Sequence, residues 1–188
     1  MWRSLMFLAA FSISGAAYAE GFDYSFIEGS YGQVQFDDLD VDGDGLSIGG
    51  SYAVSDNFHV FGGYETGDFD FGVDLNTMQA GVGYNMPVSD AVDVVASLAY
   101  VNMEVEAAGL GSVDDNGYEM GVGLRAMASP QFELSGEISY LDLGDGSDTG
   151  FGAGFLYHFS ESFAAGLSGD WNEDFSTYAL NGRFSFGQ

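Results

Sequence analysis

Apolar side chains alternate with small or polar ones in ten short segments that run almost to the last residue. The pattern is clearest where Tyr118, Met120, Val122, Leu124 and Ala126 alternate with Glu119, Gly121, Gly123 and Arg125. Successive side chains of a strand point to opposite faces, so this period separates two complete sets. Strands are predicted at 24–36, 45–54, 58–67, 73–85, 92–105, 117–127, 132–143, 149–159, 163–172 and 176–186. Ten is the count this reading favours; eight is the alternative, if two weaker strands merge into loops. Short turns are expected at 55–57, 86–90, 128–131 and 160–162, with both prolines, Pro87 and Pro130, inside them. Longer acidic connections are expected near 37–44, 106–116 and 142–148, and shorter ones near 68–72 and 173–175.

The two faces differ in a way that decides the environment. One carries rows such as Leu46, Ile48 and Tyr52, then Val60 and Tyr64, then Met78, Val82 and Tyr84, with no charge interrupting them. The other is mostly Gly, Ser and scattered charges. An exported soluble sandwich or lipocalin-like barrel would turn the apolar rows inward and leave a thin outside of glycine and serine. A small soluble barrel needs bulky residues within, so that arrangement fits poorly. An all-β, up-and-down antiparallel transmembrane β-barrel fits better, with the greasy face in lipid and a polar lumen. Aromatics near strand ends suit the two membrane interfaces. Phe58, Tyr84, Phe132, Tyr157, Phe163 and Phe186 would form the periplasmic girdle. Tyr64, Tyr100, Tyr118, Tyr140, Trp171 and Tyr178 would form the outer one.

Glu28, Glu65, Glu119, Glu133, Glu137 and Asp170 then point inward, with His59, Gln79, Arg125, His158, Asn181 and Arg183. Buried carboxylates are costly unless paired, hydrated or protonated. A lumen charge network of Glu28, Glu119, Arg125, Glu133, Glu137 and Arg183 is therefore expected. Arg125 and Glu133 flank one turn and should be neighbours. The favoured reading is a hydrated polar plug that braces the barrel. The alternatives are a narrow, cation-favouring water path and a small lumen ligand.

Residues 1–19 read as a secretory signal: Arg3, an apolar run from Leu5 to Ile13, and Ala17-Tyr18-Ala19 as the cleavage site. The barrel would then occupy 20–188. No segment approaches the roughly 20 apolar residues of a spanning helix. The chain has no cysteine and no lysine; losing Arg3 takes the formal net charge from −26 to −27. Such a charge repels nucleic acid. With 16% aromatic and 46% hydrophobic residues, it does not signal disorder.

Asp40-Val41-Asp42-Gly43-Asp44-Gly45 matches the opening of an EF-hand loop, but Ser51 stands at its twelfth position, where a bidentate Glu belongs. A looser Ca2+ site on Asp40, Asp42 and Asp44, with Asp37 and Asp38 nearby, is weighed against a solvated acidic loop, and the solvated loop is favoured. The acidic clusters together would bind Ca2+ or Mg2+ weakly and approach lipopolysaccharide through bridging cations. No other cofactor is expected. Catalysis is not expected either: His59 and His158 lie beside periplasmic turns, and no Ser-His-acid set can be drawn at one end.

Three stretches occur in order: Phe26-Ile27-Glu28-Gly29-Ser30-Tyr31, Ser55-Asp56-Asn57-Phe58-His59-Val60-Phe61-Gly62-Gly63-Tyr64 and Gly81-Val82-Gly83-Tyr84-Asn85. They resemble the small outer-membrane barrel family proposed as secreted immune elicitors or quorum-sensing signals, within the porin-like, OmpA-like superfamily. The likeness covers most of the mature chain and is specific mainly in its first half. It implies a bacterial outer-membrane barrel without known catalytic residues. One departure is that Gly187 and Gln188 follow Phe186, whereas assembly signals usually finish on the aromatic. The expected role is structural, adhesive or surface-interacting, with a narrow cation-favouring pore or small-solute channel as the alternative. Expected partners are outer-membrane lipid, lipopolysaccharide and the barrel assembly machinery, for a monomeric chain that binds no nucleic acid.

Overall fold

A computed structural model describes residues 22–36, 42–69, 72–109, 111–172 and 175–186. The expected signal segment, 1–19, lies outside them. Ten antiparallel strands close into one barrel. They are β1 (Phe26–Phe36), β2 (Asp42–Ala53), β3 (Phe58–Phe69), β4 (Val73–Ser89), β5 (Val92–Ala107), β6 (Gly111–Ser129), β7 (Phe132–Leu143), β8 (Gly146–His158), β9 (Phe163–Trp171) and β10 (Phe175–Ser185). Each strand pairs with the next, and β1 closes on β10 through a register that sets Ile27 opposite Phe184 and Tyr31 opposite Leu180. Closure pairs every strand on both sides, which is what a strand must achieve in a bilayer without water.

The alternation predicted from the sequence is the outside and inside of this barrel. Ile48, Val122, Ile138 and Leu180 are each about 60% exposed at 59%, 60%, 61% and 60%. An apolar surface so continuous is foreign to a water-soluble monomer, whose patches rarely exceed a few hundred Å2. Aromatic pairs rim it at both ends: Phe58 with Tyr84 and Phe132 with Tyr157 at the periplasmic end, and Tyr100 with Tyr118 and Trp171 with Tyr178 at the outer end. Phe159 joins the periplasmic girdle, packed on Tyr157 and Phe163.

Inward glycines make room rather than turns. A Cβ on Gly83 would stand 2.0 Å from the His59 ring, and one on Gly43 would stand 2.3 Å from the Phe69 ring. The large inward side chains thus lie flat across strands that have none at that point.

Two expectations about connections are corrected. In place of the long acidic loops near 106–116 and 142–148, turns stand at 108–109 and 144–145, and Glu106, Asp114, Asp115, Asp142 and Asp148 belong to strands. Gly109 and Gly144, at φ 82 and 57, supply the left-handed conformation that closes such hairpins without extra residues. Asp42 and Asp44 likewise lie on β2. Pro87 stands within β4, where the register shifts between Pro87 and Ser89, and the turn comes later, at 90–91. The last rungs of a ladder beside a bulge tolerate the missing N–H.

Strand lengths are unequal. A tilted strand crosses hydrocarbon in roughly 9–11 residues. β9 has 9, whereas β4, β5 and β6 have 17, 16 and 19. One wall of the barrel therefore rises past its outer aromatic girdle, and the opposite wall stops near it.

Candidate functional site

Inside the barrel the inward rows form three layers. At the periplasmic end, the residues before β1 fold back across the mouth, so Phe22, Tyr24 and Phe26 pack with Ala53, Phe61 and Val95. Arg125 Nε donates to Glu133 Oε1 at 3.0 Å, and His158 Nε2 lies 3.1 Å from Glu133 Oε2. The Arg125 guanidinium sits over the Phe22 and Tyr24 rings at 4.5 and 4.6 Å. Arg183 pairs with Glu28 and covers the Phe26 ring at 4.1 Å. Tyr24 stacks on His59 and donates its hydroxyl to Asp93 at 2.8 Å. Burial pushes the Tyr24 phenol above its ordinary range, so it stays a donor. Arg125, Glu133 and Arg183 are each 1% exposed, so their ion pairs are shielded from water.

The arginines take only part of the expected network. Glu28, Arg125, Glu133 and Arg183 meet here, but Glu119 and Glu137 do not join them. Those two lie higher in the lumen, within electrostatic reach of Asp170. The Ser139 hydroxyl bonds Glu119. Glu137 lies over Gly121, where an added Cβ would meet its Cδ at 3.0 Å.

The outer third of the lumen is apolar, contrary to the hydrated polar axis that the sequence leads one to expect. Val34, Phe69, Leu75, Val101, Met103, Leu141, Leu143 and Phe175 form an apolar cluster inside the barrel. The reason is local: near the outer ends of β5 and β7 the chain is apolar at consecutive positions, as in Tyr100-Val101 and Tyr140-Leu141, so both faces carry large side chains. That doubled pattern was the available signal. The periplasmic roles of Phe22, Tyr24 and Asp93 had a weaker one, since Asp93 shares the inward parity of Val95.

Outside, the rising wall carries acids above the girdle. Pairing sets Asp44 opposite Asp68, Asp68 opposite Asp74, and Asp74 opposite Glu106. Four adjacent strands thus hold a continuous row of exposed carboxylates, and Glu104 faces Asp114 beside it. Tyr31 donates to Asp44 at 3.4 Å. Asp40, with Asp37 and Asp38, lies outside the described residues, and among those described no three acidic or histidine side chains converge as a metal site.

The chain matches the model of the outer membrane protein beta-barrel domain over residues 4–159. Among solved structures it is similar to the KdgM porin in complex with disordered oligogalacturonate, at 12% identity and a TM-score of 0.50, covering 86% of this chain and 99% of that one. The beta domain of the Bordetella autotransporter BrkA shares 12% identity at a TM-score of 0.55, over 87% of this chain and 100% of that one. A bacterial polysaccharide outer membrane secretin shares 11% at 0.52, over 88% and 67%. No curated protein matches the chain. Identity this low speaks for the fold alone. The match to the family's own model, over most of the chain, is the stronger result, and by it the chain belongs to the outer membrane protein beta-barrel domain family and resides in the bacterial outer membrane.

Proposed function

We propose that this barrel is a non-enzymatic, non-conducting component of the outer membrane that acts through its acidic outer wall in contact with lipopolysaccharide or another surface. The observation that carries the reading is the filled lumen: an ion-pair and aromatic layer at one end, and an apolar cluster at the other. A solute path would need both to open. Against catalysis, His59 stacks on Tyr24 and His158 bonds Glu133, and both are enclosed at 0% and 4% exposure. Accessible among the described residues are the lipid face and, above the outer girdle, the row Asp44, Asp68, Asp74 and Glu106 with Glu104 and Asp114 beside it. Like charges directly opposite one another oppose strand pairing, so the row is a local cost to the fold that binding of a cation or cationic surface would relieve.

The test is complementation of a deletion strain under detergent stress. The wild-type chain should restore resistance, whereas D44N/D68N/D74N/E106Q should not, although its heat-modifiable gel migration shows a folded barrel. Full rescue by the neutral row, or no effect of the deletion, would refute the proposal.

A further inference from the structure

The pairing on the two sides of β6 ends at different heights. Toward β5 it runs on to Gly111 opposite Ala107, whereas toward β7 it starts only at Gly117 opposite Leu143. Ser112, Val113, Asp114 and Asp115 therefore have one paired side and one open side, and all four are exposed. This open side is no frayed ribbon. At the same height Ala107 pairs with Val73 and Val73 with Phe69, so β6 is the edge of a sheet backed by β5, β4 and β3.

The last rung toward β7 fixes which backbone groups face the opening. Gly144 N–H donates to the Asn116 carbonyl at 3.3 Å. In an antiparallel ladder the N–H and C=O of one residue point the same way, and successive residues alternate. Ser112 and Asp114 thus turn both groups to the open side, where no described strand pairs with them. The stretch has no proline, no lysine and no shift of register, so three devices that commonly blunt a sheet edge are missing.

The side chains select what can pair there. One face of the edge carries Asp114, opposite Glu104 on β5. The other carries Val113, 50% exposed and opposite Val105, which packs on the apolar cluster. A second copy of this chain would bring its own Asp114 and Asp115 to the edge, and like charges across a pair disfavour it. A strand with basic residues on one face and apolar residues on the other meets both demands. Its cations would lie beside Asp114 and Glu104, and an apolar side chain beside Val113. We propose that the β6 edge from Ser112 to Asp115 binds an extended segment of another protein, with alternating basic and apolar residues, by adding it to the sheet as a further strand. The edge is distinct from the row Asp44, Asp68, Asp74 and Glu106, and the proposal stands whatever that row contacts.

The probe is a fluorescent peptide of alternating lysine and valine, titrated against the barrel in neutral detergent and followed by anisotropy. Wild type should bind it, and should bind a glutamate–valine peptide about tenfold more weakly or worse. An N-methylated lysine–valine peptide keeps the charge but cannot pair, and should lose about tenfold in affinity. Asp114→Asn keeps the N–H and should weaken binding about threefold. Asp114→Pro also removes the N–H, and should weaken binding about tenfold beyond the Asn variant while its heat-modifiable band persists. D44N/D68N, on strands roughly 14 Å or more from the edge, should match wild type within about twofold at physiological salt. Bound peptide should slow hydrogen exchange at the Ser112 and Asp114 amides. Equal binding of the methylated and unmethylated peptides would reduce the effect to charge and overturn the proposal; that comparison decides the matter if Asp114→Pro does not fold. Absence of binding to wild type, loss of binding in D44N/D68N, or a barrel dimer that Asp114→Pro abolishes would overturn it too.

Discussion

Glu133 holds two partners at once, Arg125 through one carboxylate oxygen and His158 through the other. Removing one member of a buried pair strands the other's charge, at about 3–5 kcal/mol, while removing both often costs far less. Glu133→Ala should therefore destabilise the barrel strongly, and Arg125→Ala/Glu133→Ala should be more stable than the sum of the single variants implies. Equilibrium unfolding of the four chains in detergent measures this, and simple additivity would contradict it. The Arg125–Glu133 pair was legible because eight residues across one turn bring the two together. The Glu28–Arg183 pair spans 155 residues, and its partners become specific only once β1 has closed on β10. Nothing local marks Tyr24 as the residue that would link His59, Asp93 and Arg125.

At the scale of strands, period-two alternation revealed the number of elements and the face of nearly every residue, because lipid and lumen impose opposite demands on the two sides. The outer ends were not legible. Acidic, glycine-rich stretches look like loops by composition, yet 111–116 and 102–107 pair as a ladder above the membrane. What keeps them paired is backbone bonding between two strands; their side chains work against it where Asp68 stands between Asp44 and Asp74. Like charges opposite one another cost on the order of 0.2–1 kcal/mol each, and salt screens them. Asp68→Asn should thus stabilise the barrel by about 0.5–1 kcal/mol at low ionic strength, with the gain shrinking as salt is added. Unfolding curves at two salt concentrations decide it; destabilisation at both would mean that Asp68 makes a favourable contact.

For the molecule as a whole, the lumen has no single character. Apolar residues fill its outer third, carboxylates the middle, and ion pairs with aromatics its periplasmic mouth. Composition suggests one hydrated polar axis, because it averages the inward residues over all heights of the lumen. The small inward residues, Gly and Ser, mark the lumen, and they leave space for neighbours as large as Phe69 and His59, which lie across them. The unequal walls follow from strand length and give the outer surface one raised acidic side.

The central claim is that this lumen is closed, and single-channel recording in planar bilayers tests it most directly. Purified wild-type barrel, shown to be inserted by its protection from protease, should give no steady conductance steps under an applied voltage. Reproducible, cation-selective steps from the same preparation would show that the apolar and ion-pair layers open together, and would contradict the account.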